Sequence, residues 1–187
     1  MGKSYAPAPS LQVSRWLNAS HDLTLESLRG RVVVLHFFQM LCPACVSHGL
    51  PQAKRTHKMF SASDVTVMGL HSVFEHHDAM TPVALEAFSQ EYRLTFPIGI
   101  DAPSQGSIPQ TMREYALHGT PSIVLIDRLG RVRLSRFGSV DDMAVGAAIG
   151  QLLAEPGMSG RDEKGALSSQ AVDSGGCAAK GCRTGAL

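Results

Sequence analysis

The chain is 187 residues long, 44% hydrophobic and 18% charged, with a formal net charge of +1. One core of ordinary size plus extensions accounts for that length. So balanced a charge excludes functions that need concentrated positive charge, such as binding nucleic acid or an anionic membrane. The longest strongly apolar run, Val32 to Phe38, includes His36 and is far shorter than the roughly 20 residues a bilayer requires. Met1 to Ser10 holds one lysine and alternating Ala and Pro, with no apolar stretch that a secretion apparatus would read. The expectation is a cytoplasmic protein with no membrane partner. In a reducing compartment, cysteines serve reactivity or metal binding more often than a structural disulfide frame. The four cysteines here form two close pairs, Cys42 with Cys45 and Cys177 with Cys182.

Residues 1–22 are expected to be a lead-in segment, 23–154 the folded domain, and 155–187 a flexible tail rich in Gly, Ser and Ala. That tail has too few large apolar residues to offset the entropy of ordering. Within the domain, Arg31 to Phe38 has the near-continuous apolarity of a strand buried on both faces. A helix should follow the first cysteine pair, with Val46, Leu50, Ala53 and Phe60 on one face. Pro51 should kink it by removing a backbone donor. Val65 to Leu70 is a second β-rich run, and His71 to Met80 is polar enough for a loop. Thr81 caps the next helix with Pro82 in its first turn, and Leu85, Phe88 and Tyr92 form its apolar stripe. A short helix from Pro109 to Leu117 precedes Gly119-Thr120-Pro121. Ser122 to Ile126 and Arg131 to Phe137 then suit two strands of a hairpin joined by Asp127 to Gly130. Ser139 with Asp142 marks the start of a closing helix whose buried residues are Val145, Ile149 and Leu152.

Cys42-Pro43-Ala44-Cys45 falls where the buried strand hands over to a helix. A helix N-terminus presents free amide hydrogens and partial positive charge, which favour a thiolate over a thiol. The first cysteine of such a motif has its pKa lowered to roughly 3.5–7.5 and attacks disulfides at cellular pH. Cys42 is therefore the expected nucleophile. Cys45, one turn on and more buried, resolves the mixed disulfide. The same spacing also serves half a zinc site, but no second Cys-x-x-Cys or His pair stands nearby to complete one. No metal and no cofactor are expected.

The segment Phe37 to Cys45 resembles the active-site segment of the thioredoxin superfamily, and Gly119-Thr120-Pro121 resembles its second signature. Gly30-Arg31-Val32 and Leu125 to Gly130 are similar to the TlpA-like and redoxin branch. The likeness spans about Leu23 to Leu153. It implies an α/β thioredoxin-like fold: a central mixed sheet flanked by helices. It also implies a thiol-disulfide oxidoreductase. By the same resemblance, Pro121 takes a cis peptide bond, faces the dithiol and keeps metal ions from the thiols. Thr120 offers its backbone to an extended substrate, with Pro43 among the substrate-binding residues.

Three departures narrow the resemblance. Leu41 stands where the family usually has Trp, which removes an aromatic platform. Pro51 falls nine residues after Cys42 rather than eight, which implies a one-residue bulge in the helix. His36 occupies the position of a buried Asp that helps deprotonate the second cysteine. An imidazole, with an ordinary pKa near 6.5, suits that transfer; a histidine satisfied by backbone is the alternative.

Glu75, His76 and His77, with His71 just before, invite a metal hypothesis, though their spacing is that of a solvated loop. Cys177 and Cys182 are separated by four residues including Gly181, with Lys180 and Arg183 beside them to favour thiolates. They suit a redox relay that exchanges with Cys42. The expected partners are a protein or small-molecule disulfide substrate and an external thiol reductant, with the chemistry running in the reducing direction. A thiol peroxidase is the alternative, although the Pro and Thr that peroxiredoxins place before their cysteine are here Leu35 and Gln39. A redox-inactive binding module on the same fold is the third reading.

Overall fold

The computed structural model describes residues 5–155. Val32–Phe38 forms β2, buried at every position, and it lies inside a six-stranded sheet. β1 (Val13–Leu17), β3 (Val65–His71), β4 (Ile98–Asp101), β5 (Ser122–Ile126) and β6 (Val132–Phe137) complete the order β1-β4-β3-β2-β5-β6. β2 runs parallel to β3 and antiparallel to β5, and β3 runs parallel to β4. The outer pairs β1/β4 and β5/β6 are antiparallel. This is the mixed sheet flanked by helices that the sequence implies.

Alternation along β2 divides its side chains between two layers. Val32, Val34 and Phe38 join a core with Leu50 and Ala53 of α1 (Leu50–Met59), Leu85 of α2 (Pro82–Glu91), and Val145, Ile149 and Leu152 of α4 (Asp142–Ala154). Val33, Leu35 and Phe37 face the other side. There they meet Met112 of α3 (Gln110–Glu114), Tyr115, Leu25 and Leu28. By the same alternation His36 points toward the α1 and α4 layer.

The chain before residue 23 is more than a lead-in. Val13–Leu17 is an edge strand on β4, and Val13 and Trp16 pack on the second core. Its short, partly polar sequence carries little alternation, and pairing with β4 is a long-range decision. β4 is likewise a strand that local pattern does not announce. His71 ends β3 rather than starting a loop, with 1% of its surface exposed and its ring 5.4 Å from that of Phe38.

Helix starts follow side-chain chemistry. Thr81 Oγ1 accepts from the Ala84 amide at 3.2 Å, with Pro82 in the first turn. Leu85 is buried, but Tyr92 is 44% exposed and stacks on Phe88 with ring centroids 4.3 Å apart. The cap of α4 is Asp141, whose Oδ1 accepts from Met143 and Ala144 at 2.9 and 3.2 Å; Ser139 lies too far upstream. The β5–β6 turn is held by Asp127, whose Oδ1 accepts from the amides of Leu129 and Arg131 at 3.0 and 2.9 Å. Gly130 has φ +71°, and a Cβ there would strike the Arg29 guanidinium.

Burial lowers the pKa of both His36 and His71 from 6.5 to about 4. The unfolded chain therefore takes up these protons first. Their contribution to stability is full above pH 6.5 and is lost as pH falls toward 4, by about 3 kcal/mol for each histidine. Urea unfolding at pH 7 and pH 4.5 should show a steep loss, and His71→Leu should remove a large part of it. An unchanged pH slope in His71→Leu would contradict the assignment.

Candidate active site

The site forms where β2 ends. Residues 43–59 are helical, and the segment Cys45–Gly49 is a π-helical turn in which the Leu50 amide donates to Cys45 O. That extra residue is the bulge the spacing of Pro51 implies. It places Pro51 in the first turn of α1, where a missing amide hydrogen is tolerated.

Cys42 and Cys45 are joined as a disulfide with Cα atoms 5.2 Å apart. Cys42 is half-buried, while Cys45 has no exposed surface. The Cys45 amide donates to Cys42 Sγ at 3.2 Å, and Val46 N donates to Cys42 O at 3.1 Å. An amide aimed at sulfur from a helix start stabilises negative charge there. Cys42 is therefore the accessible sulfur and Cys45 the enclosed one, an arrangement suited to thiol-disulfide exchange.

β5 runs antiparallel to β2, and Phe37 pairs with Ser122. The residues just before β5 are thus delivered to the end of β2. Thr120-Pro121 is a cis peptide, the Thr120 carbonyl oxygen stands 3.5 Å from Cys42 Sγ, and a Cβ added at Gly49 would lie 3.2 Å from Pro121 Cβ. Thr120 is half-buried, Pro121 buried and Pro43 exposed. The loop is held by Ser122 Oγ donating to Gly119 O at 2.7 Å and by Gly138 N donating to Pro121 O at 2.8 Å. Gly119 has no room for a side chain, because its Cβ would lie 2.6 Å from the Phe137 ring. Leu41, 57% exposed, on the active-site turn and Phe137, 70% exposed, at the end of β6 are exposed apolar side chains beside these loops.

Gln39 is a participant that sequence reasoning missed. It is 1% exposed, its Oε1 accepts from the Phe74 amide at 3.3 Å, and its Nε2 donates to Glu75 Oε1 at 3.4 Å. It clamps the loop after β3 against the active-site turn, and the Cys42 amide donates to its carbonyl at 3.3 Å. An amide interrupting an apolar run is the signal that marks it. Glu75 serves this clamp, and His71 is withdrawn into the sheet. Among the described residues no group of three His, Cys, Asp or Glu could hold a metal.

His36, 3% exposed, has no hydrogen-bond partner for Nε2. Its lowered pKa, caused by desolvation, leaves it neutral at physiological pH. It lines a cavity together with Gly49 and Pro121. Cys177 and Cys182 lie outside the described residues.

Comparisons with known proteins agree with this geometry. The sequence is 28% identical to the protein DipZ of Mycobacterium tuberculosis over 161 residues, 83% of this chain. The chain spans only 22% of that relative's length. It is 26% identical to sporulation thiol-disulfide oxidoreductase A of Bacillus subtilis over 117 residues, 63% of this chain and 65% of that one. Two solved structures are nearer. A thiol-disulfide isomerase from Corynebacterium glutamicum shares 53% identity at a TM-score of 0.78, over 81% of this chain and 98% of that one. A thioredoxin-like superfamily protein shares 50% identity at a TM-score of 0.80, over 81% and 99%. The profile of the AhpC/TSA family matches residues 5–135. With well over half its length inside that match, and with a thioredoxin-like fold around a Cys-x-x-Cys pair, the chain belongs to the AhpC/TSA family.

Proposed function

We propose that the protein reduces disulfides in polypeptide substrates and is returned to its dithiol form by an external thiol reductant. The observation that carries the reading is the inequality of the two sulfurs. Cys42 is accessible with an amide donor at 3.2 Å, whereas Cys45 is fully enclosed. The Cys42 thiolate attacks a substrate sulfur, and one substrate thiolate leaves. Cys45, deprotonated by His36, then attacks Cys42 Sγ and releases the second substrate thiolate. The substrate disulfide gains two electrons, and the cysteine pair becomes the disulfide. The thiol-disulfide oxidoreductase and isomerase named among the relatives support this chemistry.

Direction and compartment form one claim. In a cytoplasmic thiol pool the pair is recharged as a dithiol and works as a reductant. No described helix is long and apolar enough to cross a membrane. The backbone of Thr120, beside Cys42, suits an extended polypeptide better than a small disulfide. The proposal extends to Cys177 and Cys182, which the 21 residues between Glu155 and Cys177, at up to roughly 3.3–3.6 Å each when extended, would bring to Cys42 for exchange.

Family membership favours a thiol peroxidase as the second reading. Against it, Leu35 is wholly buried in β2, and Gln39 is committed to its clamp. Neither position offers a hydroxyl to hold a peroxide.

Cys42 should alkylate with iodoacetamide at rates showing a pKa well below the ordinary thiol value near 8.5. A pKa at or above that value would favour the redox-inactive scaffold. Insulin should be reduced by the wild type and not by Cys42→Ser, while hydrogen peroxide should oxidise the dithiol no faster than a free thiol. The opposite pattern would establish the peroxidase. Cys45→Ser should accumulate a mixed disulfide with substrate, and under mild oxidation a Cys42 disulfide with Cys177 or Cys182. Absence of the latter by peptide mass mapping would remove the relay.

A further inference from the structure

The net charge of +1 averages over an uneven surface. Between Glu26 and Asp64 the sequence holds no carboxylate side chain, and this stretch includes the active-site turn and all of α1. Lys54, Arg55 and Lys58 are exposed on that helix. Together with the half-buried His57 and the exposed Thr95, they line an open cleft. Arg55 is committed to Asp142 at 2.8 Å. Lys54 Nζ donates to the Tyr92 carbonyl at 2.8 Å, which orients the ammonium without neutralising it. Among the described residues no ion pair takes up Lys54 or Lys58.

Lys54 and Arg55 also border a second groove, whose other lining residues are Val46, Leu50, Pro51, Tyr92 and Leu94. The two grooves therefore form one surface, apolar at one end and cationic at the other. Its apolar end lies beside the dithiol, because the Val46 amide donates to Cys42 O at 3.1 Å. Thr120 and Pro121 line neither groove, so this surface is separate from the backbone that the substrate uses. Glu91, one residue before Tyr92, lines neither groove as well.

A fixed patch of side chains suits a fixed partner. Disulfide substrates differ in sequence, and a backbone contact such as Thr120 accepts them all, whereas a charged face helps only a partner that always carries the opposite charge. The exchange cycle has one such partner, the reductant. Two unpaired lysines are too few for nucleic acid, whose affinity comes from neutralising many phosphates. The apolar groove beside them matches the mixed apolar and polar make-up of a protein interface.

We propose that this face of α1 docks the protein that restores the dithiol, and that this reductant presents acidic side chains to Lys54 and Lys58 and an apolar side chain to the groove of Val46, Pro51 and Tyr92. The inference rests on the exchange cycle proposed above and names the class of partner that closes it. One partner thiolate attacks Cys42 Sγ, and the Cys42–Cys45 bond breaks with its electron pair on Cys45, which takes up a proton. The second partner thiol loses its proton, attacks the partner sulfur bonded to Cys42 and releases the Cys42 thiolate. Two electrons have passed to the cysteine pair, and the partner ends as a disulfide.

Two synthetic dithiol peptides provide the test, alike in a Cys-x-x-Cys and one leucine but rich in glutamate in one and in lysine in the other. Each is mixed with the full chain in its disulfide form. Acid quenching, alkylation and peptide mass mapping follow Cys42 and Cys45 apart from Cys177 and Cys182. At low ionic strength the acidic peptide should reduce the pair about tenfold faster than the basic one, within the range of electrostatic steering. Salt at about 1 M, where the screening length falls to about 3 Å, should erase the difference. Lys54→Glu combined with Lys58→Glu should reverse the preference, and serine in place of the peptide's leucine should slow the acidic peptide. Equal rates for the two peptides, or a preference that survives the double substitution, would overturn the docking face. A rate indifferent to the leucine would strike the apolar groove from it. The exchange reading fails on a different result, namely insulin reduced no faster with the protein present than by dithiothreitol alone.

Discussion

Every part of the site depends on the burial of β2 with a partner on each edge. Apolar residues on both of its faces commit the strand to the interior of the sheet, and the opposed directions of its neighbours do the rest. β5, antiparallel, brings Thr120 and Pro121 back to the point where β2 ends. β3, parallel, ends beside it, with Phe38 opposite His71, and delivers the loop that Gln39 grips. The helix that begins at Pro43 adds its free amides at the same place. Three loops from distant parts of the chain therefore meet at one strand end, and Cys42 lies among them.

Polar groups in the apolar layers carry the specialisation of this frame. His36 and Gln39 occupy positions that aliphatic residues would fill at lower desolvation cost. Gln39 recovers that cost through bonds to Phe74 and Glu75, which turn the following loop into a wall of the site. His36 has no such protein partner for Nε2, and its surroundings open into a cavity instead of closing on it. One polar side chain is thus satisfied by the protein, and the other is left facing a cavity.

The family and the chemistry are separate statements, because one fold carries several activities and the residues at the site decide among them. Here the AhpC/TSA match covers the fold, while the paired cysteines and the positions taken by Leu35 and Gln39 speak for disulfide exchange. Leu41, from the active-site turn, and Phe137, from the end of β6, give the rim an apolar character. An aromatic side chain is thus present at the rim, but it comes from the end of β6 and not from the residue before Cys42.

Local chemistry made much of this readable in the sequence. The double-faced apolar run of β2, the Thr81 cap, the Asp127 to Gly130 turn and the Cys-x-x-Cys at a helix start each depend on residues near one another along the chain. The ninth-residue spacing of Pro51 implied a one-residue bulge in the helix, which the structure forms as the π-helical turn Cys45–Gly49. What only the tertiary structure decided is long-range. The pairing of β1 with β4 moved the start of the sheet to Val13, the alternation of β2 turned His36 toward α1 and α4, and the approach of Phe137 excluded any side chain at Gly119. The Gln39 clamp and the cavity behind His36 also join segments dozens of residues apart. Such contacts arise from the packing of whole layers, and no spacing along the chain records them.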